Sequence, residues 1–422
     1  MTGTGWSSVL TSNTVTPEQR AAVVQQAVEG VQNAGLALMR DRQALRARAA
    51  REVDSAARAT GVVLPPDVRL AVIQEVVAQC AGLGFLDQFL PPTRTDISEI
   101  SINPDGSVWI RRKGELYDER ADVHPTVEEV WRAVEALLAP TGKGVSEATP
   151  SVNARLPRFA GFGGARVNIT HPVITPGKGY PAVSIRLFEP RPVPPEQLLE
   201  WGMFEKDVLD MLLEAVAGKL RVLVIGGTAT GKTTALSALA HGIPRQARIV
   251  KCEDPEEIWL PHENVVTLEP RPRIPGSEID AYTLGDAVND ALRKAPNWII
   301  VGEVRLGDAA SALLSAQMTD HPGLSTLHAH NPSEAVLRMS LILRSEKNLD
   351  LRFDAAKLLF FQAVDLVVAV GWSTVEQDGE RKAVRKCLGV WETKDFAGGD
   401  VKFRELWMPG MEEVQPPRRR RE

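Results

Sequence analysis

The period of the hydrophobic pattern changes along this chain, and each change predicts a different kind of structure. From Thr16 to about Ala59 apolar positions recur at helical spacing, interrupted at Gly30 and Gly35. Thr16-Pro17-Glu18-Gln19 predicts the helix start: Thr16 caps it, Pro17 suits the first turn, and Gln19 sits at the capping-box position. Arg40, Arg42, Arg46, Arg48 and Arg51 against a single Asp41 read as a solvated helix face. A further helix is predicted from Asp67 to about Ala81, ended by Gly82. Residues 1–62 are thus expected to form a helical N-terminal extension.

From Asp96 the period becomes two. Ile97, Ile100 and Ile102 precede the turn Asn103-Pro104-Asp105-Gly106, and Val108, Trp109 and Ile110 follow it. A second turn at Lys113-Gly114 leads to Leu116 and Tyr117, completing a β-meander. An amphipathic helix is predicted from Thr126 to Ala139, and ARVNIT and VSIRLF, after the glycines from Gly161 to Gly164, read as two more strands. Residues 63–189 therefore read as an α+β domain. Pro190, Pro192, Pro194 and Pro195 make 190–195 a semi-rigid linker.

Beyond the prolines the pattern changes again. Short apolar runs at 220–225, 248–252, 298–301, 324–327 and 364–370 alternate with helical stretches. Such alternation predicts an α/β domain with a mostly parallel sheet over 196–409. The end, 410–422, containing QPPRRRRE, is expected to be a disordered basic tail.

Bulk composition narrows the function. Of 422 residues, 44% are hydrophobic and 24% charged, as in ordinary globular protein. A net charge of −5 argues against a broad nucleic-acid surface, so no nucleic-acid partner is expected. Cys80, Cys252 and Cys387 form no C-x-x-C pair, which suits a reducing cytoplasm and excludes a cysteine-based zinc site. The first residues lack the charged start and apolar core of a signal peptide, and no apolar run nears the roughly 18 residues of a membrane span. Any membrane role is expected to be peripheral.

The candidate chemistry lies at the ends of the apolar runs. LRVLVIGGTATGKTTALSALA, from Leu220 to Ala240, fits G-x-x-x-x-G-K-[ST], with Gly226, Gly231, Lys232 and Thr233 in the fixed places. A buried strand precedes the glycines and good helix formers follow, so backbone N–H groups from Gly226, Gly227, Thr228, Ala229, Thr230, Gly231 and the first helical turn (Lys232, Thr233, Thr234) converge on phosphates. Lys232 would reach the β- and γ-phosphates of ATP, and the Thr233 hydroxyl would ligate Mg2+. Three further runs deliver ionisable groups to the same edge: Glu253 with Asp254, Glu303 with Arg305, and His328. Glu303 is placed to hold the magnesium shell and Glu253 to activate water, although the two roles can be exchanged.

These motifs resemble the type II/type IV secretion traffic ATPases, the motors of secretion systems, conjugation machines and pili. The acidic box of that family is similar to KCEDPEEIWL, its second acidic motif to APNWIIVGEVR, and its histidine box to TDHPGLSTLHAHNP, in which His321 matches the first histidine. ISEISINPDGSVWIRRKGEL resembles its meander, and NARLPRFAGFGGARVNIT with VSIRLF its arginine-bearing segments. The likeness covers roughly 70–375 and implies a RecA-like ATPase domain, ATP and Mg2+ as cofactors, and catalytic roles for Glu253, Glu303, His328, Arg155, Arg166 and Arg186. It further implies a homo-hexamer at the inner face of the cytoplasmic membrane, in contact with a membrane platform protein. The helical region with QCAGLGFLDQFL is most similar to the tight-adherence (Flp-type) pilus branch, whereas His321-Pro322-Gly323 is closer to the conjugation branch. Asn153, Asn297, Asp320 and the pair Ala229-Thr230 depart from the family pattern. Arginines on one domain and a phosphate loop on the other, joined by prolines, suggest a site completed when the domains close. The alternatives are a nucleic-acid translocase, which shares the phosphate loop and strand-end acids, and a nucleotide switch without motor output.

Overall fold

A computed structural model of the chain describes residues 15–32, 42–81, 83–91, 93–158, 162–273, 278–319, 321–346, 350–377 and 380–418. Gly35, Gly82, Gly161 and Asp320, each given a part from the sequence, lie outside these residues. The chain divides into two compact units: Met1–Lys113 with Tyr117–Leu187, and Gly114–Leu116 with Phe188–Glu422.

The first unit opens with helices α1 (Pro17–Gln32), α2 (Arg42–Ala59) and α3 (Pro66–Ala81). The Thr16 N–H donates to Gln19 Oε1 (3.0 Å) and the Gln19 N–H to Thr16 Oγ1 (3.2 Å), closing the capping box. Gly30 does not interrupt α1 as expected. It is where α2 comes near, since a Cβ there would stand 2.3 Å from the Glu52 carboxylate. Val23, Ala27, Val31, Leu45, Ala49, Val53, Val72 and Val76 bring the three helices around one small core.

The same unit contains an antiparallel sheet. Its strands are β1 (Ile97–Ile102), β2 (Val108–Arg112), β3 (Glu119–Arg120), β4 (Ser151–Leu156), β5 (Ala165–Thr170) and β6 (Ala182–Leu187), in the order β3-β2-β1-β6-β5-β4. Ile97, Ile100, Ile102, Val108 and Ile110 alternate inward onto Val130, Val134 and Leu137 of α4 (Val127–Leu138). Helix α4 starts at a capping box between Thr126 and Glu129. The turn at Asn103–Gly106 closes with Gly106 N–H donating to Asn103 O at 2.9 Å.

In the second unit the prolines run into α5 (Pro195–Glu200), with Val193 already part of this unit's core. Then follow α6 (Lys206–Ala217), β7 (Val222–Ile225), α7 (Lys232–Leu239), β8 (Ile249–Cys252), β9 (Val265–Leu268), α8 (Leu284–Leu292), β10 (Trp298–Val301) and α9 (Gly307–Met318). After these come β11 (Gly323–Leu327), α10 (Pro332–Arg344), α11 (Phe353–Ala363), β12 (Leu366–Gln377), β13 (Glu380–Ala397) and β14 (Asp400–Trp407). One sheet holds all eight strands, ordered β14-β13-β12-β7-β11-β10-β8-β9. From β12 to β9 every neighbouring pair is parallel, with β7 between β12 and β11, which is the RecA-like arrangement.

The apolar runs lack a period because helices cover both faces. Val222, Val224, Ile249, Ile300 and Val368 enter one core, and Leu223, Ile225, Val250, Ile299 and Val367 the other. Strands β9, β13 and β14 escape a reading of apolar runs. Strand β9 is only partly buried, and the charge-rich β13 and β14 add antiparallel strands at the sheet's end. Arg221 and Asp365, 1% and 0% exposed, tie β7 to β12 where both strands begin, with Nε 2.9 Å from Oδ2.

The C-terminal segment, expected to be disordered, is held as far as Arg418. Met411 and Val414 pack on the core, Gln415 N–H donates to Leu406 O (2.8 Å), and Arg418 N–H donates to Glu392 Oε1 (2.8 Å). Apolar positions within a polar segment suffice to dock it. Among the described residues, no helix is long and apolar enough to cross a membrane.

Candidate functional site

Parallel strands all end on the same edge of the sheet, and that edge gathers the candidate chemistry. The chain leaves β7 at Ile225 and turns through Gly226, where a Cβ would stand 2.3 Å from Val370 O and 2.6 Å from Thr230 Oγ1. Only glycine fits there. The loop then passes Gly227, Thr228, Ala229 and Thr230 to Gly231, at φ +93°, and α7 starts at Lys232. Ala229 is left-handed as well, at φ +59°. Two donors hold the loop from within: Lys232 Nζ (2.8 Å) and Thr230 Oγ1 (2.9 Å) both donate to Gly227 O. Lys232 is buried, and Thr233 and Thr234 follow it on the first turn of α7.

The other strands bring in the acids. Glu253 directly follows β8 and is 2% exposed. Its Oε1 accepts the backbone N–H groups of Glu257 (3.1 Å) and Ile258 (2.9 Å), while Lys251 Nζ lies 3.2 Å from Oε2. Burial pushes the Glu253 carboxyl up from its usual range, opposed by Lys251 and the two backbone donors. Glu303 stands beyond β10, one residue past Gly302, which donates to Cys252 O (2.9 Å) and accepts from Thr326 Oγ1 (2.6 Å). These bonds fix the ends of β8, β10 and β11 together.

Glu303 sits between a histidine and an arginine. His328 Nε2, just past β11, lies 2.7 Å from Glu303 Oε1, in ion-pair range without hydrogen-bond alignment, and Arg305 pairs with Oε2. Burial raises the Glu303 carboxyl, but Arg305, His328 and Lys232 outweigh it and hold the group below its usual range. Burial, then Lys232, lowers His328, with Glu303 opposing. Lys232, Glu303 and His328 are therefore close enough to act on one another. Glu303, Arg305, His328 and Arg338 border a cavity of about 280 Å³.

These residues fit a nucleotide with magnesium. The turn and the first turn of α7 supply backbone donors, and Lys232 a buried cation. Thr233 and Glu303 carry oxygen donors of the kind Mg2+ takes, and Mg2+ held there would neutralise phosphate charge. His321, first in the histidine box, stands apart. It precedes β11, bonded to Thr319 Oγ1 (3.3 Å), at the opposite edge of the sheet from Lys232.

In the first unit, cross-strand register brings the three arginines together. Arg155 pairs with Arg166, Arg166 with Arg186, and Arg186 with Glu99, so the three stand side by side on one face, opposite the buried Ala154, Val167 and Ile185. Their separations in sequence, 11 and 20 residues, do not reveal this.

The family model of type II/IV secretion system proteins matches residues 83–369, more than half of the chain. The chain belongs to this family. It is 31% identical over 278 residues to the putative conjugal transfer protein Rv3659c of Mycobacterium tuberculosis, covering 65% of this chain and 76% of that one. It is 38% identical over 199 residues to the uncharacterized protein MJ0900 of Methanocaldococcus jannaschii, but that match spans 47% of this chain and only 34% of the relative. The crystal structure of the VirB11 ATPase from the Brucella suis type IV secretion system aligns at 25% identity over 71% of this chain and 93% of that chain, with a TM-score of 0.37.

For this family member, sequence reasoning overlooked Lys251, Arg338 and Arg385, and gave Arg305 no role. Lys251 was detectable as a lone charge inside the buried run Ile249–Cys252. Arg338 and Arg385 carry no local signal, because only the fold brings α10 and β13 to the site.

Proposed function

We propose that the chain is a Mg2+-dependent ATPase, the hexameric motor of a pilus or of a type II/IV secretion machine. The observation that carries this reading is the placement of Lys232, Glu253, Glu303 and His328 around the loop at the ends of β7, β8, β10 and β11. Phosphoryl transfer needs that set: a cradle, a cation on the phosphates, an acid for the magnesium shell and an acid for water. Glu303, held below its usual range with Arg305 foremost, suits the metal shell. Glu253, raised by burial, suits proton acceptance, which is most efficient when the base titrates closer to the working pH. Arg155, Arg166 and Arg186 supply further positive charge.

In this reading ATP draws the N-terminal domain onto the ATPase domain, hydrolysis releases it, and a membrane platform protein receives the stroke on the cytoplasmic side. The helical region before the meander supports the tight-adherence pilus branch, and the conjugal-transfer relatives support the conjugation branch of the same family. The deciding experiment is steady-state ATP hydrolysis by full-length protein and by Lys232→Ala. Wild-type turnover with Mg2+, lost in the variant together with most nucleotide binding, is expected. Near-normal turnover by Lys232→Ala would sink the site assignment.

A further inference from the structure

The phosphate loop contains a conformational conflict. Its fourth residue is left-handed, yet it is Ala229 rather than glycine. An L-residue with a Cβ is disfavoured at φ +59°, so a loop with alanine there needs an outside hold to keep this shape. Strand β13 supplies one. Arg385 Nε donates to Ala229 O at 3.0 Å, the only side-chain bond to that carbonyl among the described residues.

The guanidinium is itself braced. Arg385 stands directly across from Trp372 on β12, and its Cζ lies 5.0 Å from that ring's centroid, within cation–π range. Two residues on along β13, the Cys387 N–H donates to Met203 O at 2.7 Å, anchoring the strand beside the loop. Met203 and Arg385 also flank Gly231, where a Cβ would be 3.1 Å from Met203 Cε and 3.4 Å from Arg385 Cδ.

We infer that Arg385 is a positioning residue for the phosphate loop, compensating for alanine at 229 and thereby setting the affinity for nucleotide phosphate; this rests on reading the loop as an ATP site. The physical link is the peptide plane. A trans peptide points its C=O and the following N–H in opposite directions. Holding Ala229 O toward β13 therefore directs the Thr230 N–H away from β13. Without Arg385 the Ala229–Thr230 peptide is free to rotate, and the loop spends less time with its donors convergent. Arg385 touches neither phosphate nor water in this role, so its loss weakens binding ahead of turnover.

The experiment is a double-mutant cycle read by calorimetric titration of full-length protein with ADP. Arg385→Ala is expected to weaken ADP binding about tenfold where residue 229 is alanine. In the Ala229→Gly background the same substitution is expected to cost less than about threefold, because glycine adopts the left-handed turn without help. In ATPase assays Arg385→Ala should raise KM with kcat largely kept, the pattern of lost uniform binding. Equal losses in the two backgrounds, or no loss in either, overturn the inference. Wild-type protein that binds no ADP instead overturns the ATP-site reading. If Arg385→Ala lowers the melting temperature too far for titration, Trp372→Ala removes the brace and leaves the bond's donor. A loss of about threefold, again smaller in the Ala229→Gly background, is then expected, and equal losses there overturn the inference too.

Discussion

Lys251 Nζ and Glu253 Oε2 lie 3.2 Å apart, at the end of a buried strand where neither residue is more than 3% exposed. The lysine also donates to Glu256 Oε1 (2.6 Å) and to Ile258 O (2.5 Å), so it is fixed on three sides. Both residues have left water, and Glu253 depends on Lys251 for its counter-charge, while Lys251 is shared with Glu256. The acid read from the sequence as a base is therefore held by a cation two residues before it.

Lys251→Met should raise the Glu253 carboxyl further, because burial then acts with less opposition. A base works when ionised, so raising it reduces the active fraction at neutral pH. The expected result is a fall in kcat on the order of tenfold at pH 7, recovered as pH rises, with the acid limb of the pH–rate profile displaced to higher pH. A parallel downward shift of the whole profile would show that Lys251 serves folding only.

Glu253→Gln and Glu303→Gln should fail differently. The first should still bind ATP with Mg2+ and lose roughly 10²–10⁴-fold in turnover, since only the proton acceptor is gone. The second should weaken the Mg2+ dependence of nucleotide binding. Binding titrations with and without Mg2+, beside turnover, separate the two, and normal turnover in Glu253→Gln would mean that the other acid is the base.

The arginine row makes a prediction about domains. A fragment from Phe188 to Glu422 keeps the loop, both acids and the docked C-terminal segment, so it should bind nucleotide. Lacking Arg155, Arg166 and Arg186, it should hydrolyse slowly, as such arginines supply a factor of roughly 10³–10⁵. Mixing Lys232→Ala with Arg166→Ala protein then tells whether the arginines serve the same chain or a neighbour, because only a site shared between chains regains activity.

Asp365→Ala should destabilise the ATPase unit by about 3–5 kcal/mol, since Arg221 would stay buried without its counter-charge. Thermal unfolding should show a midpoint lower by on the order of 10 °C. The paired replacement Arg221→Met with Asp365→Leu should recover most of the loss, and failure to do so would place the cost in packing rather than charge.

The sequence by itself determined the elements whose signals are local. Burial on both faces of a parallel sheet writes continuous apolar runs, so β7, β8, β10, β11 and the first part of β12 were legible as strands. The capping box at Thr16 marked a helix start, and the glycines with Lys232 and Thr233 marked the loop. Because parallel strands end on one edge, Glu253, Glu303 and His328 could be assigned to that edge before any coordinates.

Tertiary structure alone decided the rest, since it depends on register and on contacts distant in sequence. Cross-strand pairing set Arg155, Arg166 and Arg186 in one row. The direction of β11 put His321 and His328 at opposite ends of the strand, though seven residues separate them. Docking placed Met411 and Val414 on the core, where a basic tail had looked disordered. The β12–β13 register carried Arg385 across 156 residues of chain to the carbonyl of Ala229. A hydrogen bond at that separation has no periodicity to announce it; it exists only once the sheet has closed.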